Sequence, residues 1–382
     1  MTAASLWARL QAERLVEGEL PPDRTESPWY VRLMLGIAGW IGAIFLLLFV
    51  GIGFAFIMES AGTSLVAGAA CCAAAFALFH FFDDNDFAQQ FALVVSLAGH
   101  GLLAVGLAQL LDADQASFFL ALAATEALLA ILIANFLHRL LATGGAAIAA
   151  ALAVSQLGLN GLAAPLICAA LAFVWLEPKR WAASGGLWRP IGYGLVLALL
   201  LVETFRLFGA EWLFGLARRR PDGLMVYGPL IGRAVTALIL AFVAVAIALR
   251  EGGRPGGRVT LAAGASALAF GLLSLGAPGL ASAMLVVILG FATGHRLLLA
   301  LGILALFGFV AHFYYSLHAT LLEKSGLLAV TGLCLIAAHF ALPDAEIDEA
   351  EHGQACDQGD ELTHAGSPVR RGRGAAARNG RR

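Results

Sequence analysis

Charge is scarce in this chain. Only 13% of its 382 residues are Asp, Glu, Lys or Arg, against 60% that are hydrophobic, where an ordinary soluble domain carries about 25% charged residues. So little polar surface cannot cover a soluble particle of this length, which leaves the bilayer as the solvent for most of the chain. The mean hydropathy of +0.83 agrees. Cysteine is sparse too: Cys71 and Cys72 are adjacent, Cys168 and Cys334 lie in apolar runs, and Cys356 is in a polar tail. Without a Cys-x-x-Cys or Cys/His ligand spacing, neither a disulfide framework nor a metal site is expected, and no cofactor. HExxH, GxSxG, Walker and GxGxxG patterns are missing from any supporting context, so no catalytic residue is named and an enzyme is the less favoured reading. The first 32 residues lack the apolar core of a signal peptide, so the first span is expected to insert as an uncleaved anchor.

What the chain has instead is long apolar runs. A crossing of a hydrocarbon core about 30 Å thick needs about 20 apolar residues. Stretches 33–58, 61–82, 88–111, 116–136, 140–158, 160–176, 190–208, 228–249, 259–276, 278–293, 297–315 and 325–342 qualify or nearly qualify. The expected fold is therefore all-α, a polytopic transmembrane helical bundle of about twelve spans (ten to twelve). Whether the count is ten or twelve turns on 140–176 and 259–293, where the runs are short or split by glycine and proline. The 44 glycines suit helices packed closely in lipid. Residues 1–32 read as a short cytoplasmic amphipathic helix and turn, 33–342 as the membrane domain, and 343–382 as a disordered polar tail.

Orientation follows from Lys and Arg in the loops. With the N-terminus inside and twelve spans, twelve basic residues from Arg9 to Arg296 fall inside, against Arg218, Arg219, Arg220 and Lys324 outside. Both termini are then cytoplasmic. No internal repeat is evident.

A few polar groups interrupt the apolar runs. Glu126 sits near the middle of 116–136, where a carboxylate costs roughly 2.5–3.5 kcal/mol to insert. His100 lies near the middle of the preceding span. Antiparallel neighbours can bring the two together as a proton relay or translocation site, or each can make its own interior hydrogen bond. A second group falls on the expected outer face. Glu203 and Arg206 are three apart and share a helix face, Arg233 enters the next span, and Tyr314, Tyr315 and Lys324 flank the last connection. These are interfacial anchors or a docking surface. His80 with Asp83, Asp84 and Asp86 reads as a solvated loop rather than a cation site.

Two stretches carry a resemblance. LQAERLVEGELPPDRTESPWYVRLMLGIAGWIGAIFLLLFVG joins a short helix, a turn and a Gly/Trp-rich first span, and FYYSLHATLLEKSGLLAVTG places Tyr-Tyr and Lys-Ser-Gly before the last one. Together they resemble a bacterial multi-pass membrane family, the domain of unknown function 4401, similar to family 2157. Its motif positions match Trp29, Arg32, Trp40, Tyr314, Tyr315, Leu317, Thr320, Leu321, Lys324 and Ser325. The resemblance implies the bacterial cytoplasmic membrane and a small membrane-anchored envelope protein as neighbour. With the bilayer, that protein is the expected partner; no nucleic acid is expected. The leading expectation is a non-enzymatic component of an envelope complex. The alternatives are a secondary transporter or channel using Glu126 and His100, and then an intramembrane enzyme.

Overall fold

The computed structural model describes residues 3–13, 18, 29–53, 58–82, 85–159, 161–207 and 227–316. Every regular element among them is helical: α1 (Ala3–Ala12), α2 (Trp29–Gly53), α3 (Ala61–Phe81), α4 (Asp86–Leu111), α5 (Ala116–Leu132), α6 (Phe136–Gln156), α7 (Ala163–Trp175), α8 (Pro178–Leu207), α9 (Gly228–Arg250), α10 (Arg258–Leu273), α11 (Leu280–Ala292) and α12 (Arg296–Ser316). Met1–His312 forms one compact unit, and Phe313 begins a second.

Helices α2 to α12 occupy the first eleven of the twelve apolar stretches, one each. The stretch 325–342, loop residues 208–226 and the tail lie outside the described residues. Seven helices among the described residues are long and apolar enough to cross a membrane by length and composition: α3, α4, α6, Ser184–Leu207 of α8, α9, Arg258–Gly276 and Arg296–Tyr315. Large apolar side chains face outward along them, as on Leu273 and Leu304, which suits lipid surroundings.

The stretches 140–176 and 259–293 each hold a break between separate helices. Between α6 and α7 the chain turns through Gly158 and Gly161, both at positive φ, and a Cβ at Gly161 would collide with the Gly228 backbone. Between α10 and α11 it turns through Gly279 at φ +88°, where a Cβ would lie 2.9 Å from the Phe309 ring. The helices that follow, α7 and α11, have 13 residues each. At 1.5 Å per residue they reach about 20 Å, less than the hydrocarbon thickness, so flanking turns or a locally thinned bilayer complete any crossing they make. They are buried in the bundle: Leu171 and Trp175 of α7 and Leu285 and Leu289 of α11 pack with Val196, Leu199, Leu240 and Leu298 in the largest buried cluster. In lipid such packing holds by van der Waals fit rather than by exclusion of water, so small residues mark where helices touch. Gly68 on α3 faces Gly99 on α4, and Gly194 on α8 faces Thr143 and Gly144 on α6.

Helix ends are held by side chains. Ser60, Asn85 and Asn135 cap α3, α4 and α6 by accepting from the N–H three residues on. Arg139 does the converse for carbonyls. Its Nε and Nη2 donate to Ala130 and Ile131 near the end of α5, at 3.1 and 3.3 Å, and its Nη1 donates to Gly186 of α8 at 3.0 Å. Gly186 needs that donor because Pro190, four residues on inside α8, has no N–H to give it. A non-helical Ser184 bends α8 just before this point.

Candidate functional site: a buried Glu–His–His chain

Three successive helices each place one polar side chain in a common interior spot. His100 comes from the middle of α4, Glu126 from the second half of α5 and His138 from the first turn of α6. His100 Nδ1 lies 2.7 Å from Glu126 Oε2, and His100 Nε2 lies 3.1 Å from His138 Nε2. Exposures are 9% for His100, 7% for Glu126 and 0% for His138. The far nitrogen, His138 Nδ1, is buried with no hydrogen-bond partner among the described residues.

The surroundings explain the convergence. Gly68 and Gly99 let α3 and α4 approach backbone to backbone, since a Cβ on either would lie within 3 Å of the other's carbonyl oxygen. Gly145 on α6 makes room for the carboxylate, as a Cβ there would sit 3.3 Å from Glu126 Oε2. His138 is fixed at its helix start because its own N–H donates to the Asn135 cap, at 3.1 Å. Asn135 Nδ2 donates in turn to Gln89 Oε1 at 2.9 Å, and Gln89 Nε2 donates to the Phe82 carbonyl at 3.1 Å. The His138 ring stands edge-on to Phe79, centroids 6.2 Å apart, and to His100, 5.1 Å apart.

The bonding pattern has two self-consistent states. With Glu126 ionised, His100 Nδ1–H donates to it, His138 Nε2–H donates to His100 Nε2, and His138 Nδ1 carries a lone pair. With Glu126 protonated, its O–H donates to His100 Nδ1, His100 Nε2–H donates to His138 Nε2, and His138 Nδ1 carries a proton. The states interconvert by adding one proton at His138 Nδ1, shifting one across each hydrogen bond and ending with one on Glu126. Both imidazoles are neutral at the start and the finish, which suits a buried site where charge is expensive.

The structure thus brings the sequence-singled Glu126 and His100 into direct contact and adds His138. His138 escapes sequence reading because it falls between the stretches 116–136 and 140–158, two residues past the end of one. The usable signal is Asn135, whose capping pattern starts the helix earlier and draws His138 into it.

The second group does not converge in the same way. Glu203 is buried and faces the bundle interior, where Ser282 Oγ donates to its Oε1 at 2.7 Å; Cys168 Sγ lies 4.0 Å from the same hydroxyl. Arg206, one helical turn on, is half-buried. Arg233 Nη1 donates to the Leu275 carbonyl at 2.7 Å, bracing the turn after α10. Tyr314 and Tyr315 meet edge to face at 5.6 Å, with Tyr315 82% exposed. Lys324 lies outside the described residues, as do Asp83 and Asp84. Among the described residues no cluster of three His, Cys, Asp or Glu is arranged to hold a metal ion. Of the family-motif positions described, Trp40 donates from Nε1 to Gln90 Oε1 at 3.0 Å, joining α2 to α4.

Comparison with curated proteins and with solved structures finds no match. A family model does match, over residues 28–344, which is most of the chain and takes in the three helices of the Glu–His–His chain. The protein belongs to the family defined by the domain of unknown function DUF4401.

Proposed function

We propose that this is a bacterial cytoplasmic-membrane protein of about twelve spans, with both termini inside, that moves protons through the Glu126–His100–His138 chain. The reading makes it a transporter or channel rather than an enzyme. The single observation behind it is the unbroken pair of hydrogen bonds from Glu126 Oε2 to His138 Nε2, ending on a nitrogen with no described partner. On this topology the loop 133–135 faces the cytoplasm. His138, three residues past Asn135, is then the cytoplasmic entry, and Glu126 is the terminus nearer mid-membrane. Burying a carboxylate and two imidazoles merely to pack three helices is the expensive way to do it, since apolar side chains of similar volume pack without desolvation.

The test is proton flux into sealed liposomes holding the purified protein, driven by a potassium diffusion potential and read by an entrapped pH dye. Wild-type vesicles are expected to acidify faster than protein-free ones, and Glu126→Gln, which keeps the shape but not the proton, to return the rate to the protein-free level. Equal rates for wild-type and empty vesicles would sink the reading.

A second reading is a non-enzymatic component of an envelope complex that docks a small membrane-anchored protein. Exposure of Tyr315 at the end of α12 favours it. On this reading Tyr314, Tyr315 and Lys324 are the contact residues. Co-purification of a partner with the tagged protein in mild detergent, lost on Tyr315→Ala, is its expected signature; co-purification indifferent to that change removes it.

A further inference from the structure

Away from the Glu–His–His chain, the ends of α7, α8, α9 and α11 enclose a cavity of about 390 Å³. One wall is aromatic. Trp175 and Trp181 have ring centroids 4.5 Å apart, and His295 lies 5.1 and 5.4 Å from them. The two indoles are tilted by 39°, and Trp175 meets His295 at 77°, so the wall is faceted. The face is fixed in place: Trp181 Nε1 donates to the Val174 carbonyl at 2.9 Å, and Trp175 packs on Gly192, where any Cβ would lie 2.7 Å from its Nε1. The cavity is also lined by Arg250, the last residue of α9, and by Glu251 after it. Three helices, α7, α9 and α11, end here, so their carbonyl termini add partial negative charge beside Glu251. The cavity thus offers a guanidinium for an anion, a carboxylate with helix C-termini for an ammonium, and an aromatic wall.

A second cavity adjoins the first. It is an apolar groove of about 410 Å³ between α9, α10 and α11, and Ile247 lines both. It runs away from the polar end. Ala244 lies six residues before Arg250 along α9, about 9 Å deeper at the helical rise, and Met284 lies eight residues before Ala292 along α11, about 12 Å deeper. A polar chamber at the helix ends therefore opens onto an apolar channel that descends alongside the helices.

The geometry points to a seat for one glycerophospholipid with a primary-ammonium headgroup, phosphatidylethanolamine in chemical class. Its phosphate pairs with Arg250, its ammonium with Glu251 against the Trp175–Trp181 wall, and an acyl chain passes Ile247 into the groove. The pairing of charges selects the headgroup. A headgroup with no amine leaves the Glu251 carboxylate facing a phosphate, and a quaternary ammonium has no N–H to give it. The site shares no residue with the Glu–His–His chain, so the two readings fail separately.

The experiment is native mass spectrometry of the full chain in mild detergent, titrated with phosphatidylethanolamine, phosphatidylcholine and phosphatidylglycerol of matched chains. Phosphatidylethanolamine is expected to bind roughly tenfold more tightly than either, the size of one charge-assisted hydrogen bond. Arg250→Ala weakens all three. Glu251→Gln abolishes the preference for the ethanolamine lipid, Ile247→Trp weakens it by narrowing the groove, and Glu126→Gln leaves it unchanged. Equal binding of the three lipids by the wild type, or a preference that survives Glu251→Gln, overturns the proposal. Competition by soluble glycerophosphoethanolamine at the concentration of the lipid overturns the role of the groove.

Discussion

Among the described histidines, His138 is set apart by having one ring nitrogen committed to a second imidazole and the other to nothing described. Replacing it with Phe keeps a flat ring of similar size against Phe79 but removes both nitrogens. His138→Phe is therefore expected to stop proton flux as fully as Glu126→Gln while leaving the detergent melting temperature close to wild type; flux at the wild-type rate would remove His138 from the path. Glu126 and His100 were legible in the sequence because an ionisable group amid apolar neighbours is costly and so stands out. His138 was not, because near a helix end a histidine costs little and carries no such signal. Gly145 was illegible for a different reason. Its role is to be small opposite Glu126, and among 44 glycines only three-dimensional contact separates that one.

At the scale of elements, Arg139 ties three helices. The sequence offers it as a loop charge for orientation, yet its guanidinium serves the free carbonyls of α5 and the one that Pro190 leaves open in α8. Arg139→Met strands those acceptors and is expected to destabilise the fold by on the order of 2–3 kcal/mol. Arg139→Lys should recover only part of this, because a single ammonium does not reproduce the planar fork. Denaturation in detergent ranks the three; a lysine variant as stable as wild type would show that the fork geometry is dispensable. The loop after α11 supports a pH prediction. Burial, and then the nearby Arg189, hold His295 below its ordinary value of 6.5. Above that pH the group is neutral folded or unfolded and contributes nothing. As the pH falls through about 6.5 the unfolded chain takes up the proton first, so the folded state loses stability until the lowered folded value is passed. The melting temperature should drop between pH 7.5 and 5.5, and His295→Gln should flatten that part of the profile. The helices themselves were legible from apolar run length. Their breaks at Gly161 and Gly279 were ambiguous, because there the reason for the turn is what the glycine touches, the α9 backbone and the Phe309 ring.

For the molecule as a whole, α7 and α11 are the shortest helices of the bundle yet supply much of its largest buried cluster, so the bundle is built around short inner helices rather than from equal staves. Run length alone does not say whether so short a helix crosses, which is why the span count blurs at those two places. The proposed topology makes a direct prediction. In a background with the native cysteines replaced, Asp114→Cys is labelled by a membrane-impermeant maleimide added to intact cells whose outer membrane is permeabilised, and Arg254→Cys only after the cytoplasmic membrane is breached. The reverse pattern would invert the bundle and put His138 on the outside.

The two bonding states of Glu126, His100 and His138 differ by the one proton that Glu126 holds, and on the proposed path a proton taken up at His138 turns the first into the second and is delivered when Glu126 releases it. The line then faces the wrong way for the next proton until both imidazoles swing over. Those rings are enclosed, one by Phe79 and α6, the other between α4 and α5. On the proposed proton path each delivery leaves a latch set, and the time to release it caps turnover. Flux should level off as the driving voltage rises, where a water-filled pore would keep climbing.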